Sequence, residues 1–427
     1  MKFSGKNSVD QIVSFYAGEN YILLESQMEG HPSSGQSFVA IRPRREIFGY
    51  GEEVTWIENG ERSVSSENPW DSIQKFHERS ESLIFGYIGY DLKNYIERVE
   101  SDNPALIDVP DFYFMEPEIL IQVREGEAET VNGEVDLDQI ASHGIQPISG
   151  FIGEIHRLEE KQHYIRKIEE VQRRIREGDF YELNYSYPVE GKVKGDPLAL
   201  YRKMREVNPV PFGAFIKTDD FQVCSASPER FLKKSGRKVV SEPIKGTAPT
   251  SSDPAENHRQ KEILQNEKNK AENLMIVDLV RHDLSLIAET GSVRVSKLFD
   301  VQTFGTVHQL ISTVEATALD GLSPVQIIKA CFPMGSMTGA PKIEVMKVID
   351  ELESYRRGIY SGAIGYISPD GDFDFNVVIR SAIIQEEKFI YPVGGAITSD
   401  SIPEEEWEET HVKTRAITKI AEKNGSN

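Results

Sequence analysis

The residues able to do chemistry in this chain are carboxylates, lysines and arginines set among glycine-rich turns. Near the end, EEEWEETHVK places Glu406, Glu409 and Lys413 at spacings of three and four, one face of a helix. On its own the set reads as a solvated helix face with an i,i+4 Glu-to-Lys pair. Glu272, in KNKAENLMIVDLVRHD, precedes an apolar run and reads alone as a helix surface residue. Glu229 in SPERF stands beside Arg230, and Lys245 in PIKGT stands beside Gly246, a surface pair and a turn lysine when taken singly. Several other chemistries are absent. No phosphate-binding G-x-x-x-x-G-K-[ST] loop, no convincing G-x-G-x-x-G after a strand, no HExxH and no CxxC pair occurs, so nucleotide cofactors and zinc lack support. Cys224 in QVCSASP and Cys331 in KACFPM lack the surroundings of a nucleophile, which makes a glutaminase activity within this chain improbable.

Elements that position these residues are legible by period. Tyr164, Ile168, Val171 and Ile175 recur at helical spacing and Gly178 follows, predicting an amphipathic helix with a glycine stop. Ile343, Met346, Ile349 and Leu352 predict a second helix with Pro341 in its first turn. Phe373, Phe375, Val377 and Ile379 alternate after Asp370-Gly371, predicting a strand whose partner is Tyr360 to Ile367. Segments around Phe85 to Leu92 and Phe112 to Val123 also read as strands. The stretch from about Glu125 to Gly150 is rich in Glu, Gly and Asp, then Ser and Pro, and suggests a surface connection. A soft boundary is therefore placed there, with a β-rich region over 1–150 and a second region over 151–427. Strands and helices mix without a βαβ repeat, so an α+β arrangement with antiparallel sheets is expected.

Composition narrows the class. The chain has 427 residues, 39% hydrophobic and 27% charged, enough for a large core. A net charge of −21 disfavours nucleic acid and anionic membranes as partners, and an anionic substrate would need a local cationic pocket or a bound metal. Two cysteines cannot make a disulfide framework, the first residues lack a signal-peptide pattern, and no apolar run approaches ~18 residues. A cytoplasmic protein is expected.

Eight segments in fixed order carry a closer resemblance: GDFYELN, SASPERF, PIKGTAP, AENLMIVDL, FPMGSMTGAPK, RRGIYSGAIGY, VGGAITSDS and EETHVK. Over roughly residues 150 to 420 they resemble the chorismate-utilising family that includes component I of anthranilate synthase and of aminodeoxychorismate synthase. The resemblance implies a β-sandwich of two antiparallel sheets with helices packed outside, and a first half similar to the amino-terminal region of anthranilate synthase component I.

It also implies roles. Glu272 and Glu409 would hold Mg²⁺, a hard ion that needs only one or two carboxylates besides water and substrate oxygens. Tyr360 and Arg380 would bind the enolpyruvyl carboxylate of chorismate, with Gly246, Thr247, Ser336, Gly394, Gly395 and Lys413 completing the cradle. Glu229 matches the family's general acid, a role that requires a pKa raised by burial. Lys245 matches a lysine that attacks the ring and is displaced by ammonia, and burial near Mg²⁺ would lower its pKa.

Four departures from the family pattern bear on the reaction. Glu182 stands where water-adding relatives have lysine and amine-adding relatives usually Gln. Gln309, after His308, stands where many relatives have His; Asn269 replaces a frequent acid, and Ala396 a third glycine. Lys245 and Gln309 favour aminodeoxychorismate as product, with anthranilate the alternative and a non-catalytic regulatory paralogue a third reading. Ammonia would come from a separate glutamine amidotransferase subunit. Leu24, Glu25, Ser26, Pro209, Pro211 and Phe212 partly match the tryptophan pocket of anthranilate synthase, although Gly213 replaces a larger residue there.

Overall fold

The computed structural model describes residues 3–4, 7–28, 35–97, 99, 101–304 and 307–424. Its organisation follows from two long strands, Ser37–Tyr50 and Phe112–Arg124, which pair antiparallel along their lengths. Each carries a proline at mid-length, and where Pro43 meets Pro117 the ladder slips in register, since proline has no N–H to donate. The halves on either side of this break take different neighbours. One half joins Tyr21–Glu25 and Glu127–Asn132; the other joins Glu53–Glu58 and Ile84–Ile88. Two antiparallel sheets therefore share one pair of strands.

The first sheet continues through Phe212–Lys217, Gln222–Ser227, Ser381–Gln385, Lys388–Ile397, Glu182–Gly195 and Gly150–Arg157. The second continues through Ala363–Ile367, Phe373–Asn376, Arg230–Ser235, Lys238–Glu242 and Val307–Thr317, the last flanked by Arg294–Phe304 and Ile244–Pro249. Ile22, Ala40, Phe85, Met115, Val223, Ile364 and Ile383 meet between the sheets. Helices Lys161–Glu177, Pro197–Val207, Lys342–Leu352 and Pro403–Lys413 cover the first sheet with Tyr164, Ile168, Met204, Ile349 and Trp407. Pro69–Glu78, Glu267–Ser285 and Pro324–Cys331 cover the second with Trp70, Ile276, Val277 and Ile328. This is an α+β sandwich whose inner faces pack on each other and whose outer faces carry the helices.

The first helix read from periodicity spans Lys161–Glu177, and Gly178 closes it at φ 90°, the left-handed conformation that glycine adopts without a Cβ penalty. The second spans Lys342–Leu352, but Pro341 is its N-cap and Ile343 is 45% exposed, so Val345, Met346, Val348, Ile349 and Leu352 form the buried face instead. The expected surface connection contains a strand, Glu127–Asn132, and a helix, Leu137–His143, capped by Asp136. Leu137 and Ile140 anchor that helix in the core, a signal too short to stand out against the polar residues around it. Pairing also crosses residue 150: Tyr21–Glu25 lies beside Phe212–Lys217, and Ile84–Ile88 beside Ala363–Ile367.

The expected strand over Phe373 to Ile379 ends at Asn376. Beyond it Val377 N–H donates to the Glu229 carbonyl at 3.0 Å and Val378 N–H to the Gly362 carbonyl at 2.8 Å. Arg380 then adopts φ 52°. The chain leaves the ladder at the point where it must turn Arg380 toward a cavity.

Candidate active site

That cavity, about 500 Å³, is lined by all twelve residues expected to act in catalysis, substrate binding or metal binding. They arrive from eight places in the chain. Lys245, Gly246 and Thr247 come from Ile244–Pro249, Glu272 from Glu267–Ser285, and Ser336 from the one-turn helix Gly335–Met337. Tyr360 precedes the strand Ala363–Ile367, Arg380 ends the segment that leaves the ladder, Gly394 and Gly395 lie in Lys388–Ile397, and Glu409 and Lys413 in Pro403–Lys413. Glu229 precedes the strand Arg230–Ser235. Sequence distance hides this convergence; the folding of strands over one another creates it.

Glu229 is 6% exposed, and burial pushes its carboxyl up to about 7 despite a hydrogen bond from Ser336 and the positive charges of Lys245 and Arg380. At neutral pH it therefore holds a proton about half of the time, as a general acid requires. Its backbone is pinned by Val377 N–H and by Ser227 Oγ, which accepts from Glu229 N–H at 3.3 Å.

Lys245 departs from expectation. Burial alone pushes its ammonium pKa down, but Glu182, Glu272 and Glu409 outweigh burial and leave it raised. Its Nζ donates to Glu182 Oε1 at 3.2 Å and lies 3.9 Å from Glu272 Oε2. The protein alone thus holds Lys245 charged, because three carboxylates face one ammonium. Glu182 is 2% exposed and its second oxygen has no hydrogen-bond partner.

Carboxylates crowd the opposite wall. Burial raises the pKa of Glu272, eased by Lys245 and Lys268 and reinforced by Glu182 and Glu409. Glu406 is likewise raised by burial and by Glu409, and accepts from Ser401 Oγ at 2.8 Å. Glu409 is lowered, chiefly by Lys413, whose Nζ donates to it at 2.6 Å and to the Gly394 carbonyl at 2.8 Å. Among the described residues no three His, Cys, Asp or Glu side chains form a ready protein cage for a metal.

The glycines open the strand edge. A Cβ on Gly394 would stand 2.2 Å from the Tyr185 carbonyl, so only glycine lets Lys388–Ile397 lie this close to Glu182–Gly195. Pairing with Ser381–Gln385 ends at Ile390, which leaves the far edge of Val393 to Ala396 facing the cavity. Ala396 is part of this strand, opposite Asn184, and its methyl group is tolerated there without a turn.

Other side chains at the site were not singled out from sequence. Asn184, Lys268 and Tyr391 also line the cavity, beside Glu406, whose spacing from Glu409 already put both on one helix face. Lys268 stands one helical turn before Glu272, the one sequence signal that could have found it. Asn269 Nδ2 donates to the carbonyls of Ile263 and Leu264 at 3.2 Å, so it fastens the joint between two helices. Gln309 is buried opposite Thr247 in the ladder and does not line the cavity; His308 bonds Asn257 and Thr303. Both cysteines are buried and burial raises their thiol pKa values, which keeps them unreactive.

A second cavity of about 410 Å³ is lined by Leu24, Glu25, Ser26, Pro211 and Phe212, five of the six candidate effector residues; Pro209 is not among its lining. Gly213 is explained by Gln27, whose amide would stand 2.4 Å from a Cβ there. Gln27 exchanges two hydrogen bonds of 3.0 Å with Val210, and Glu25 is held by Tyr201 and Arg205 at 2.8 Å.

The chain is 44% identical over 261 residues to an aminodeoxychorismate synthase of Arabidopsis thaliana, covering 60% of this chain and 28% of that protein. It is 37% identical over 397 residues to one of Streptomyces griseus, covering 86% and 53%. It therefore spans about half or less of the length of these two relatives. Anthranilate synthase component 1 of Thermus thermophilus is 33% identical over 427 aligned residues, covering 94% and 92%. Among solved structures, anthranilate synthase component I of Streptococcus pneumoniae superposes with a TM-score of 0.79 at 27% identity, covering 92% and 94%. The model of the chorismate binding enzymes matches residues 19–419, nearly the whole chain, and the protein belongs to that family.

Proposed function

We propose that this chain replaces the 4-hydroxyl of chorismate with ammonia to give 4-amino-4-deoxychorismate, in a Mg²⁺-dependent reaction fed by a separate glutamine amidotransferase. The observation that carries the reading is the meeting of Glu229, whose buried carboxyl is pushed up to about 7, with Lys245 in one cavity. An acid and an amine together suit displacement of a poor leaving group, whereas a binding module has use for neither. Relatives named aminodeoxychorismate synthase support the same reading.

Glu229 donates its proton to the departing 4-hydroxyl, which leaves as water. Lys245 Nζ, once its proton is lost to solvent, attacks the ring in the same displacement; ammonia then displaces the lysine and delivers the amine. Arg380 and Tyr360 hold the enolpyruvyl carboxylate, since the planar fork of a guanidinium pairs well with a carboxylate. Thr247 and the open strand edge at Gly394 and Gly395 supply further donors.

The donor set suits a hard cation. Glu409 raises the proton affinity of both Glu272 and Glu406, so three carboxylates stand near one another, and a hard ion needs only one or two of them besides water. Bound Mg²⁺ supplies positive charge for the ring carboxylate and offsets two of the three carboxylates that face Lys245. The buried cysteines leave this chain without a glutaminase nucleophile, which supports a separate ammonia source. Among the described residues no helix is long and apolar enough to cross a membrane, and the cytoplasm is the proposed location.

The test is incubation of the purified chain with chorismate, Mg²⁺ and high ammonium, with and without aminodeoxychorismate lyase. Para-aminobenzoate formed only with the lyase supports the reading. Fluorescent anthranilate without the lyase would replace it with the alternative product, and intact chorismate binding without turnover would favour a regulatory role.

A further inference from the structure

Behind the cavity, Glu353 and Arg357 form an ion pair in which both side chains are 1% exposed. Taking two charges out of water costs several kcal/mol per ion and is offset only if the remaining hydrogen bonds are complete. They are complete on the arginine. Its Nε donates to Glu353 Oε2 at 2.9 Å, and Nη2 to Glu353 Oε1 at 2.6 Å and to the Asn184 carbonyl at 2.8 Å. Nη1 donates to the Met337 carbonyl at 2.7 Å and to Ser361 Oγ at 3.2 Å. All five donors of the guanidinium are used. Glu353 Oε1 also accepts from Ser186 N–H at 2.8 Å and Ser186 Oγ at 2.7 Å.

Neither Glu353 nor Arg357 lines the chorismate cavity, yet three of the five arginine bonds reach segments that do. Met337 follows Ser336, the partner of Glu229. Ser361 follows Tyr360. Asn184 lies two residues from Glu182, and its own Nδ2 donates to the Ser336 carbonyl at 3.2 Å. A second buried pair, Arg45 with Glu116, joins the two long shared strands away from both cavities.

We propose that the Glu353–Arg357 pair is a positioning device, fixing the Ser336 turn, the Asn184 strand and Tyr360 at one separation so that acid and carboxylate contacts form together. It rests on the chorismate reading above. Lysine cannot replace this arginine, because three tetrahedral donors on a flexible stem do not reproduce a planar fork.

The test compares wild type with Arg357→Lys, Ser186→Ala and the remote control Arg45→Lys, measuring kcat, KM, the pH profile, the chorismate dissociation constant and Tm. Arg357→Lys is expected to lower kcat about 10- to 100-fold, the effect of ~1 Å misplacement. It should also move the high-pH limb upward, because a displaced Ser336 no longer favours the Glu229 carboxylate. Lys245 and Arg380, the cations that face Glu229, are not among the groups bonded to Arg357. Ser186→Ala keeps the pair but removes one bond to Glu353, and should lower kcat about 5-fold, the equivalent of ~1 kcal/mol. Arg45→Lys should lower Tm alone. Wild-type kcat, KM and pH profile in Arg357→Lys, or in Ser186→Ala if the first does not fold, would overturn the proposal. If wild type binds chorismate without turnover, the activity reading fails while the dissociation constants still decide: weakening of about 5-fold or more in the variants supports positioning, and no change refutes it.

Discussion

Glu229→Gln should sharply lower turnover while stabilising the protein above neutral pH. Burial raises the carboxyl from 4.5 in the unfolded chain to about 7 in the fold, so the native state binds the extra proton. Below pH 4.5 both states are protonated and no penalty exists; between 4.5 and about 7 stability falls as pH rises; above 7 the full penalty is present. At 1.36 kcal/mol per pH unit the penalty is about 3 kcal/mol, which glutamine, being neutral, does not incur. For 427 residues, at ~2.1 cal/mol/K per residue of unfolding entropy, this corresponds to a Tm rise of about 3 °C at pH 8 and none near pH 4.5. The assay is thermal unfolding of both proteins from pH 4.5 to 9 without Mg²⁺ or chorismate, with kcat measured in parallel where wild type turns over. Loss of the acid should cost about 10² to 10⁴ in kcat. A Tm difference independent of pH, or a variant less stable at pH 8 than at pH 5 relative to wild type, would refute the buried-acid reasoning; retained kcat would refute the catalytic assignment.

Further outcomes follow from the neighbouring groups. Lys245→Ala should lose activity and give no chorismate adduct by mass spectrometry, and unchanged turnover would reduce Lys245 to a specificity residue. Glu182→Gln removes the nearest of the three carboxylates that keep the Lys245 pKa raised, so the low-pH limb of kcat should move to lower pH; an unmoved limb would separate Glu182 from Lys245 ionisation. Glu272→Gln and Glu409→Gln should each weaken Mg²⁺ binding about 10-fold or more by calorimetry if both are its ligands as proposed, since each removes one of two anionic donors. Gly394→Ala drives a Cβ to 2.2 Å from the Tyr185 carbonyl and should cost ~3 kcal/mol or more of stability in denaturant titrations, because backbone, unlike a side-chain end, cannot yield cheaply.

Much of the local structure was legible in the residues themselves. The 3.6-residue period of Tyr164, Ile168 and Val171, closed by Gly178, specifies a helix and its end, because both signals are local. The eight ordered segments likewise point to the family without any coordinates, since their order and residue types are properties of the chain itself. Prediction failed where distant packing outweighed local pattern. Val377 and Ile379 continue an alternation, but the carbonyls of Glu229 and Gly362 draw the chain out of the ladder. Ile343 fits the helical period but faces outward, because the sheet surface selects Val345 and Met346.

The chemical state of the site belonged to the tertiary structure alone. The types Glu229, Lys245, Glu272 and Glu409 could be read in order, yet the charge on Lys245 depends on three carboxylates brought to it from remote parts of the chain. Coulomb energies depend on distance and local dielectric, neither of which is written in sequence. The same holds for Gln309, which sequence placed near the chemistry and the fold seats a strand away, and for Arg357, whose five bonds exist only once the segments it joins have packed. Sequence determined which groups were available; the sandwich determined which of them meet, how dry the meeting place is, and hence which protons are held.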